Sequence, residues 1–125
     1  MPEAYLLLED GTCFHGEGAG ASAAALGECV FTTAMTGYQE ALTDPSFAEQ
    51  ILTFTAPMIG NYGVEAPVSE SDRVQAVAMV CREARNAVPP GRSGLLDWLT
   101  EAGVPVVWGI DTRALVVHLR ERGAM

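Results

Sequence analysis

The residues able to do chemistry in this chain are few and scattered. Three thiols, Cys13, Cys29 and Cys81, and two imidazoles, His15 and His118, would be the core of any nucleophilic or metal chemistry. A Cys hydrolase needs an exposed thiolate beside a His or a helix N-terminus. Cys13 and Cys29 lie within apolar strand patterns, Cys81 ends one, and none sits in a Gly-x-nucleophile-x-Gly elbow. All three therefore read as small buried hydrophobes. A self-sufficient hydrolase pairing Cys13 or Cys29 with His15 or His118 is the competing reading. The two His lack a further ligand at metal spacing, so no metal site is expected. Acidic pairs such as Glu9-Asp10 and Glu70/Asp72 read as solvated turn residues. Gly16-Glu17-Gly18-Ala19-Gly20 lacks the Lys-Ser/Thr and the following helix of a phosphate loop.

One segment is different. Thr36-Gly37-Tyr38-Gln39-Glu40-Ala41-Leu42-Thr43-Asp44-Pro45-Ser46-Phe47 concentrates donors, acceptors and aromatic rings between two apolar runs. Asp44-Pro45-Ser46 fixes a rigid turn and with it the direction of the Ser46 hydroxyl. That hydroxyl either satisfies backbone amides within the turn or is held for a ligand.

The elements that position this segment follow from pattern. Ala4–Leu8 reads as a strand, Glu9-Asp10-Gly11-Thr12 as a hairpin turn, and Cys13–His15 as the returning strand. Gly16–Gly27 is rich in Gly and Ala without a period and reads as loop. Glu28–Thr33 and Gln50–Thr55 read as strands. In the second, Ile51, Thr53 and Thr55 share one face and Leu52 and Phe54 the other. Thr36-Gly37-Tyr38-Gln39 has the form of a capping box opening a short helix that Asp44-Pro45 ends.

Ile59-Gly60-Asn61-Tyr62-Gly63 is a turn cluster and Glu65–Asp72 an acidic loop. Val74–Val80 is continuous enough for a strand buried on both faces. Asn86–Arg92, with Pro89-Pro90-Gly91, reads as an internal linker. Ser93 is the expected cap of a helix with Leu95, Trp98, Leu99 and Ala102 on one face, and Gly103 its C′ residue. Val104–Trp108 reads as a short strand. Asp111 caps a last helix, Thr112–Arg122, with Leu115 and Leu119 on one stripe and basic residues before Gly123. Hairpins early and alternating strands and helices late argue a mixed α/β domain.

Composition bounds the partners. The 125 residues match one domain, and 49 % apolar against 18 % charged excludes a disordered chain. The net charge of −9, with seven basic residues that are all Arg, argues against nucleic acid and against an anionic membrane surface. Three widely spaced Cys form no disulfide framework, and the N-terminus lacks a basic segment followed by a long apolar run. A cytoplasmic domain is expected.

At the polar segment the chain also resembles a known family. Leu8-Glu9-Asp10-Gly11-Thr12, Val30-Phe31-Thr32-Thr33-Ala34-Met35-Thr36-Gly37-Tyr38-Gln39-Glu40, Leu42-Thr43-Asp44-Pro45-Ser46-Phe47, Ile59-Gly60-Asn61-Tyr62-Gly63 and Gly109-Ile110-Asp111-Thr112-Arg113-Ala114-Leu115 are similar to the small subunit of glutamine-dependent carbamoyl phosphate synthetase. Thr32 stands where that family commonly has Asn, and Phe47 where it commonly has Tyr; both keep shape and lose polar capacity.

The resemblance implies that residues 1–125 are the N-terminal domain alone. The class I amidotransferase domain, with its Cys, His and Glu, would then lie outside this chain, which would hold no catalytic residue and no cofactor. It implies a three-layer β/β/α domain of the swivelling type, with one parallel and one antiparallel sheet. It implies a heterodimer in which this domain docks on a large subunit and helps shape the glutamine site and ammonia path. The complete ligase makes carbamoyl phosphate from glutamine, bicarbonate and ATP for arginine and pyrimidine synthesis. By position Ser46 matches the family's Ser that reaches the bound glutamine, with Thr36, Gly37, Tyr38, Gln39, Asp44 and Pro45 supporting it. Arg120 and Arg122 on the last helix, and the Thr36–Phe47 segment, are the expected contacts with the large subunit. A free-standing, non-catalytic interaction module of the same fold is the alternative.

Overall fold

The computed structural model describes residues 2–65 and 68–125; Ala66 and Pro67 of the expected Glu65–Asp72 loop lie outside them, as does Met1. Six strands, β1 (Glu3–Leu7), β2 (Cys13–Gly20), β3 (Glu28–Thr32), β4 (Gln50–Phe54), β5 (Ala78–Cys81) and β6 (Pro105–Trp108), form one sheet in the order β1-β2-β6-β5-β4-β3. β3, β4, β5 and β6 are parallel, whereas β1–β2 and β2–β6 are antiparallel. The mixed α/β class therefore holds. The parallel and antiparallel parts implied by the resemblance are both present, joined through β6 into a single hydrogen-bonded sheet.

That junction depends on β2 being longer than its sequence suggests. The strand does not stop at His15 but runs on through Gly16, Gly18 and Gly20, with Gly18 opposite Val107 and Ala19 opposite Val106. The glycines are what permit it: a Cβ at Gly16 would meet the Trp108 carbonyl, and one at Gly20 would lie 2.5 Å from the Val104 carbonyl oxygen. A Gly-rich stretch without period was thus close backbone approach, and only residues 21–27 remain outside a strand.

Three helices cover the sheet: α1 (Tyr38–Thr43), α2 (Leu95–Glu101) and α3 (Thr112–Arg122). The alternation of β4 decides what packs where. Leu52 and Phe54 join Met79, Val106, Leu42 of α1 and Leu95 and Leu99 of α2 in one cluster. Ile51 joins Ala78, Val80, Leu6 and Leu8 with Leu115 and Leu119 of α3 in the other. Burying each such side chain contributes about 1.5–3 kcal/mol. β5 is buried at all four positions, as a continuous apolar run demands, but it is shorter than Val74–Val80. The N–H groups of Gln75 and Ala76 bond the Leu42 carbonyl at the end of α1, and the ladder begins only after Val77.

Helix ends divide into local and long-range cases. Asp111 caps α3 as expected, its Oδ1 accepting the Ala114 N–H at 3.0 Å, and Gly103, at φ +76°, follows α2. Ser93 does not cap α2. Its backbone pairs with Val64 in both directions, Gly94 is the N-cap residue, and Asn86 Oδ1 accepts the Asp97 N–H instead. Asn86 is therefore part of a packed loop and not of a free linker. No helix among the described residues is long and apolar enough to cross a membrane.

Candidate functional site

The polar segment splits into two ends. α1 follows the C-terminal end of β3, and the 3-10 turn Pro45–Phe47 leads into the N-terminal end of β4. Six helical residues at about 1.5 Å each hold the ends roughly 9 Å apart along the axis. Thr36 and Gly37 therefore stand at the opposite end of α1 from Ser46.

At the first end, the Tyr38 and Gln39 side chains are already used, while the exposed Thr36 hydroxyl makes no hydrogen bond among the described residues. The expected capping box is not formed: Gly37 at φ +82° is the N-cap residue, no side chain caps it, and Thr36 is exposed. The Gly37 N–H is instead accepted by the Tyr62 hydroxyl at 2.9 Å. The rings of Tyr38 and Tyr62 stack at 4.3 Å between centroids. The Tyr38 hydroxyl donates to the Gly63 carbonyl at 2.6 Å and accepts the Tyr62 N–H at 3.2 Å. Burial pushes its pKa up to about 12, so it stays a donor.

Gln39, 3 % exposed, uses both ends of its amide on one residue. Nε2 donates to the Glu65 carbonyl at 2.6 Å and to Ser69 Oγ at 2.9 Å, while Oε1 accepts the Glu65 N–H at 2.9 Å. Thr43 Oγ1 donates back to the Gln39 carbonyl and accepts the Glu70 N–H, each at 2.8 Å. Arg92 closes the far side, donating to the Tyr62 carbonyl at 2.9 Å and standing 3.4 Å from the Glu65 carboxylate. These side chains tie the turn cluster and the acidic loop to α1.

At the second end the hydroxyl is unspent. Asp44 Oδ1 accepts the Ser46 N–H at 2.9 Å, and Pro45 occupies the first position of the turn, which holds its backbone. Phe47 packs into the core and anchors the turn from below. The Ser46 side chain is exposed and makes no hydrogen bond among the described residues. Glu49, two residues from the turn, takes a left-handed φ of 64°, rare for a residue with a Cβ.

The other candidate chemistry is divided between two buried thiols and two surface pairs. Cys29 and Cys81 are buried as expected; burial raises both thiols, that of Cys81 to about 12. Cys13 departs from expectation: it faces solvent, with Sγ 3.6 Å from His15 Nε2, because β2 has only one covered face at that point. The Cys-x-His alternation along a strand was the signal that could have revealed this. His118 Nε2 lies 2.7 Å from Asp10 Oδ2 and 3.4 Å from Thr12 Oγ1. One ring nitrogen serves both contacts, so the trio is not a relay, which needs the two nitrogens on different partners. An open groove of about 400 Å³ runs beside it, lined by Asp111, Arg113, Val117 and Glu121 among others. No group of three His, Cys, Asp or Glu able to hold a metal occurs among the described residues.

Sequence comparison decides what this arrangement belongs to. The family model for carbamoyl-phosphate synthase small chain, CPSase domain, matches residues 6–125. The chain belongs to the carbamoyl-phosphate synthase small chain family. Carbamoyl phosphate synthase small chains of Halobacterium salinarum and Methanosarcina acetivorans are 52 % and 49 % identical to it, over 100 % and 98 % of its length. That of Polynucleobacter asymbioticus is 51 % identical over 99 %. The chain spans about a third of the length of these small chains, 33 %, 34 % and 32 % respectively. Both ends of the polar segment fall inside the part that matches the family, as do the Tyr62–Glu65 turn and Asp111.

Proposed function

We propose that the chain is the docking portion of a small subunit that delivers ammonia from glutamine to a large synthetase subunit. In this reading the turn at Asp44–Phe47 lends the Ser46 hydroxyl to a glutamine site whose Cys, His and Glu lie on a class I amidotransferase domain. The assembled heterodimer makes carbamoyl phosphate from glutamine, bicarbonate and ATP, in the cytoplasm, and serves arginine and pyrimidine synthesis. The proposal is supported by membership of the family. The observation that carries the role of Ser46 is an exposed hydroxyl with no partner among the described residues, on a turn whose backbone Asp44 and Pro45 hold, beside a helix whose Tyr38, Gln39 and Thr43 side chains are spent. A glutamine zwitterion offers a carboxylate to such a donor. A hydrogen bond to a charged group contributes about 1.5–3 kcal/mol.

The test is Ser46→Ala in the assembled two-subunit enzyme. The kcat/KM for glutamine should fall roughly ten- to hundredfold, while carbamoyl phosphate formation from ammonia supplied directly stays unchanged. An unchanged kcat/KM and KM for glutamine removes Ser46 from the site. Docking is checked by size exclusion of this chain with the large subunit. Co-elution is expected, and separate elution of the folded chain overturns the docking assignment.

A further inference from the structure

The β1–β2 hairpin presents a pair of donor atoms that neither the core nor the Ser46 turn uses. Cys13, His15 and Glu17 alternate along β2 and are all exposed on one face. Of these, Cys13 and His15 converge, with Sγ 3.6 Å from Nε2. That separation has a second meaning besides a weak hydrogen bond. In a tetrahedral zinc site the Zn–S distance is about 2.3 Å and the Zn–N distance about 2.0–2.1 Å. Two such ligands on one ion therefore stand about 3.6 Å apart at the tetrahedral angle. The strand already holds the thiol and the imidazole at the bite of one cation.

The neighbouring strand supports the arrangement. Tyr5 is paired with His15 in the ladder, and its ring lies 6.2 Å from the imidazole at 47°. Leu7 is paired with Cys13. No third His, Cys, Asp or Glu completes a cluster among the described residues, so the remaining positions are left to water. Cys29 and Cys81 are buried in the core and do not compete.

We propose that Cys13 and His15 form an exchangeable surface site for a borderline-soft divalent cation of the Zn²⁺ or Cd²⁺ type. On binding, the Cys13 thiol releases its proton to solvent as the sulfur–metal bond forms, and neutral His15 donates the Nε2 lone pair. With only two protein ligands, the ion is gained and lost without unfolding the chain, unlike a closed structural zinc site.

Cadmium titration of the protein tests this through the thiolate-to-metal charge-transfer absorption in the ultraviolet. One equivalent should give the band. Cys13→Ser should abolish it, and His15→Ala should weaken binding by about tenfold or more, since even outer-shell losses cost 10–100-fold. Both positions are exposed, and the metal-free melting temperatures of the variants should match the parent's. His118→Ala, at the other imidazole, should bind as the parent does. Absence of the band, its persistence in Cys13→Ser, full affinity in His15→Ala, or loss of binding in His118→Ala would each overturn the assignment.

Discussion

The two ends of α1 carry similar residue types and put them to opposite uses. At the N-terminal end Tyr38 and Gln39 are 2 % and 3 % exposed, and their polar atoms are spent on the Tyr62–Glu65 turn. At the other end Ser46 is exposed on a turn whose backbone Asp44 and Pro45 hold, with its hydroxyl unspent. Density of donors and acceptors in a sequence therefore does not by itself mark a ligand site. An unspent donor on a turn whose backbone is held is the better candidate, because folding has placed it without using it.

The contrast is broken most severely at Gln39. Gln39→Leu leaves both the N–H and the carbonyl of Glu65 without their partner in a partly buried position, together with one bond of Ser69. Each unsatisfied buried group costs about 1–3 kcal/mol. Urea denaturation should show a loss of about 2–4 kcal/mol for this variant. Ser46→Ala should remain within about 0.5 kcal/mol of the parent, as exposed substitutions do. Equal losses at the two positions would erase the distinction between spent and unspent donors.

Gly37 sharpens the same comparison with a smaller effect. Its φ of +82° lets the chain turn into α1 with the N–H aimed at the Tyr62 hydroxyl. Gly37→Ala meets the left-handed penalty of about 1 kcal/mol. The added Cβ would lie 3.2 Å from Glu40 Oε2, the far end of a flexible side chain that can move away. A drop of about 1 kcal/mol in unfolding free energy is expected. A neutral result would mean that the turn, and not the glycine, sets the start of the helix.

What was legible in the sequence follows the same division between local and distant causes. The alternation of Ile51 to Phe54, the Asp111 cap, Gly103 after α2 and the Asp44-Pro45-Ser46 turn are each decided within a few residues, and each is found where the pattern puts it. Thr36 and Ser93 fail as caps because each helix takes the following glycine, Gly37 or Gly94, as its N-cap, and distant side chains serve the amides there: the Tyr62 hydroxyl accepts the Gly37 N–H, and Asn86 Oδ1 that of Asp97. The glycines of β2 hid a strand because their reason, contact with the backbone of β6, is visible only once the sheet is assembled. For the site, the turn that fixes Ser46 could be read directly. The partners that consume Tyr38, Gln39 and Thr43 could not, since they lie about 25 residues downstream, as in the Tyr38–Gly63 and Gln39–Glu65 bonds. Cys13 was misplaced for a related reason: strand periodicity gives two faces but does not say which one the rest of the chain will cover.

The hairpin turn supplies a third kind of polar group, one spent at the surface, where the effect is smaller and visible only in acid. The Asp10 carboxyl is held at about 2 against an ordinary 3.8, first by the Thr12 N–H at 3.0 Å, with partial burial acting in the opposite direction, and then by the Thr12 hydroxyl and His118. The folded carboxylate thus resists protonation more than the unfolded one. Its stabilising contribution is complete above 3.8 and is lost as the pH falls toward 2. Asp10→Asn keeps an oxygen for the Thr12 N–H and removes the titration. Melting temperatures measured across this interval should therefore fall less steeply with acid in Asp10→Asn than in the parent. The two should differ most at neutral pH and converge near pH 2. Parallel curves would mean that the tether between the hairpin and α3 owes nothing to the charge on Asp10. In that case the 2.7 Å contact with His118 is held in place by the packing of the cluster that joins Leu8 of the hairpin to Leu115 and Leu119 of α3.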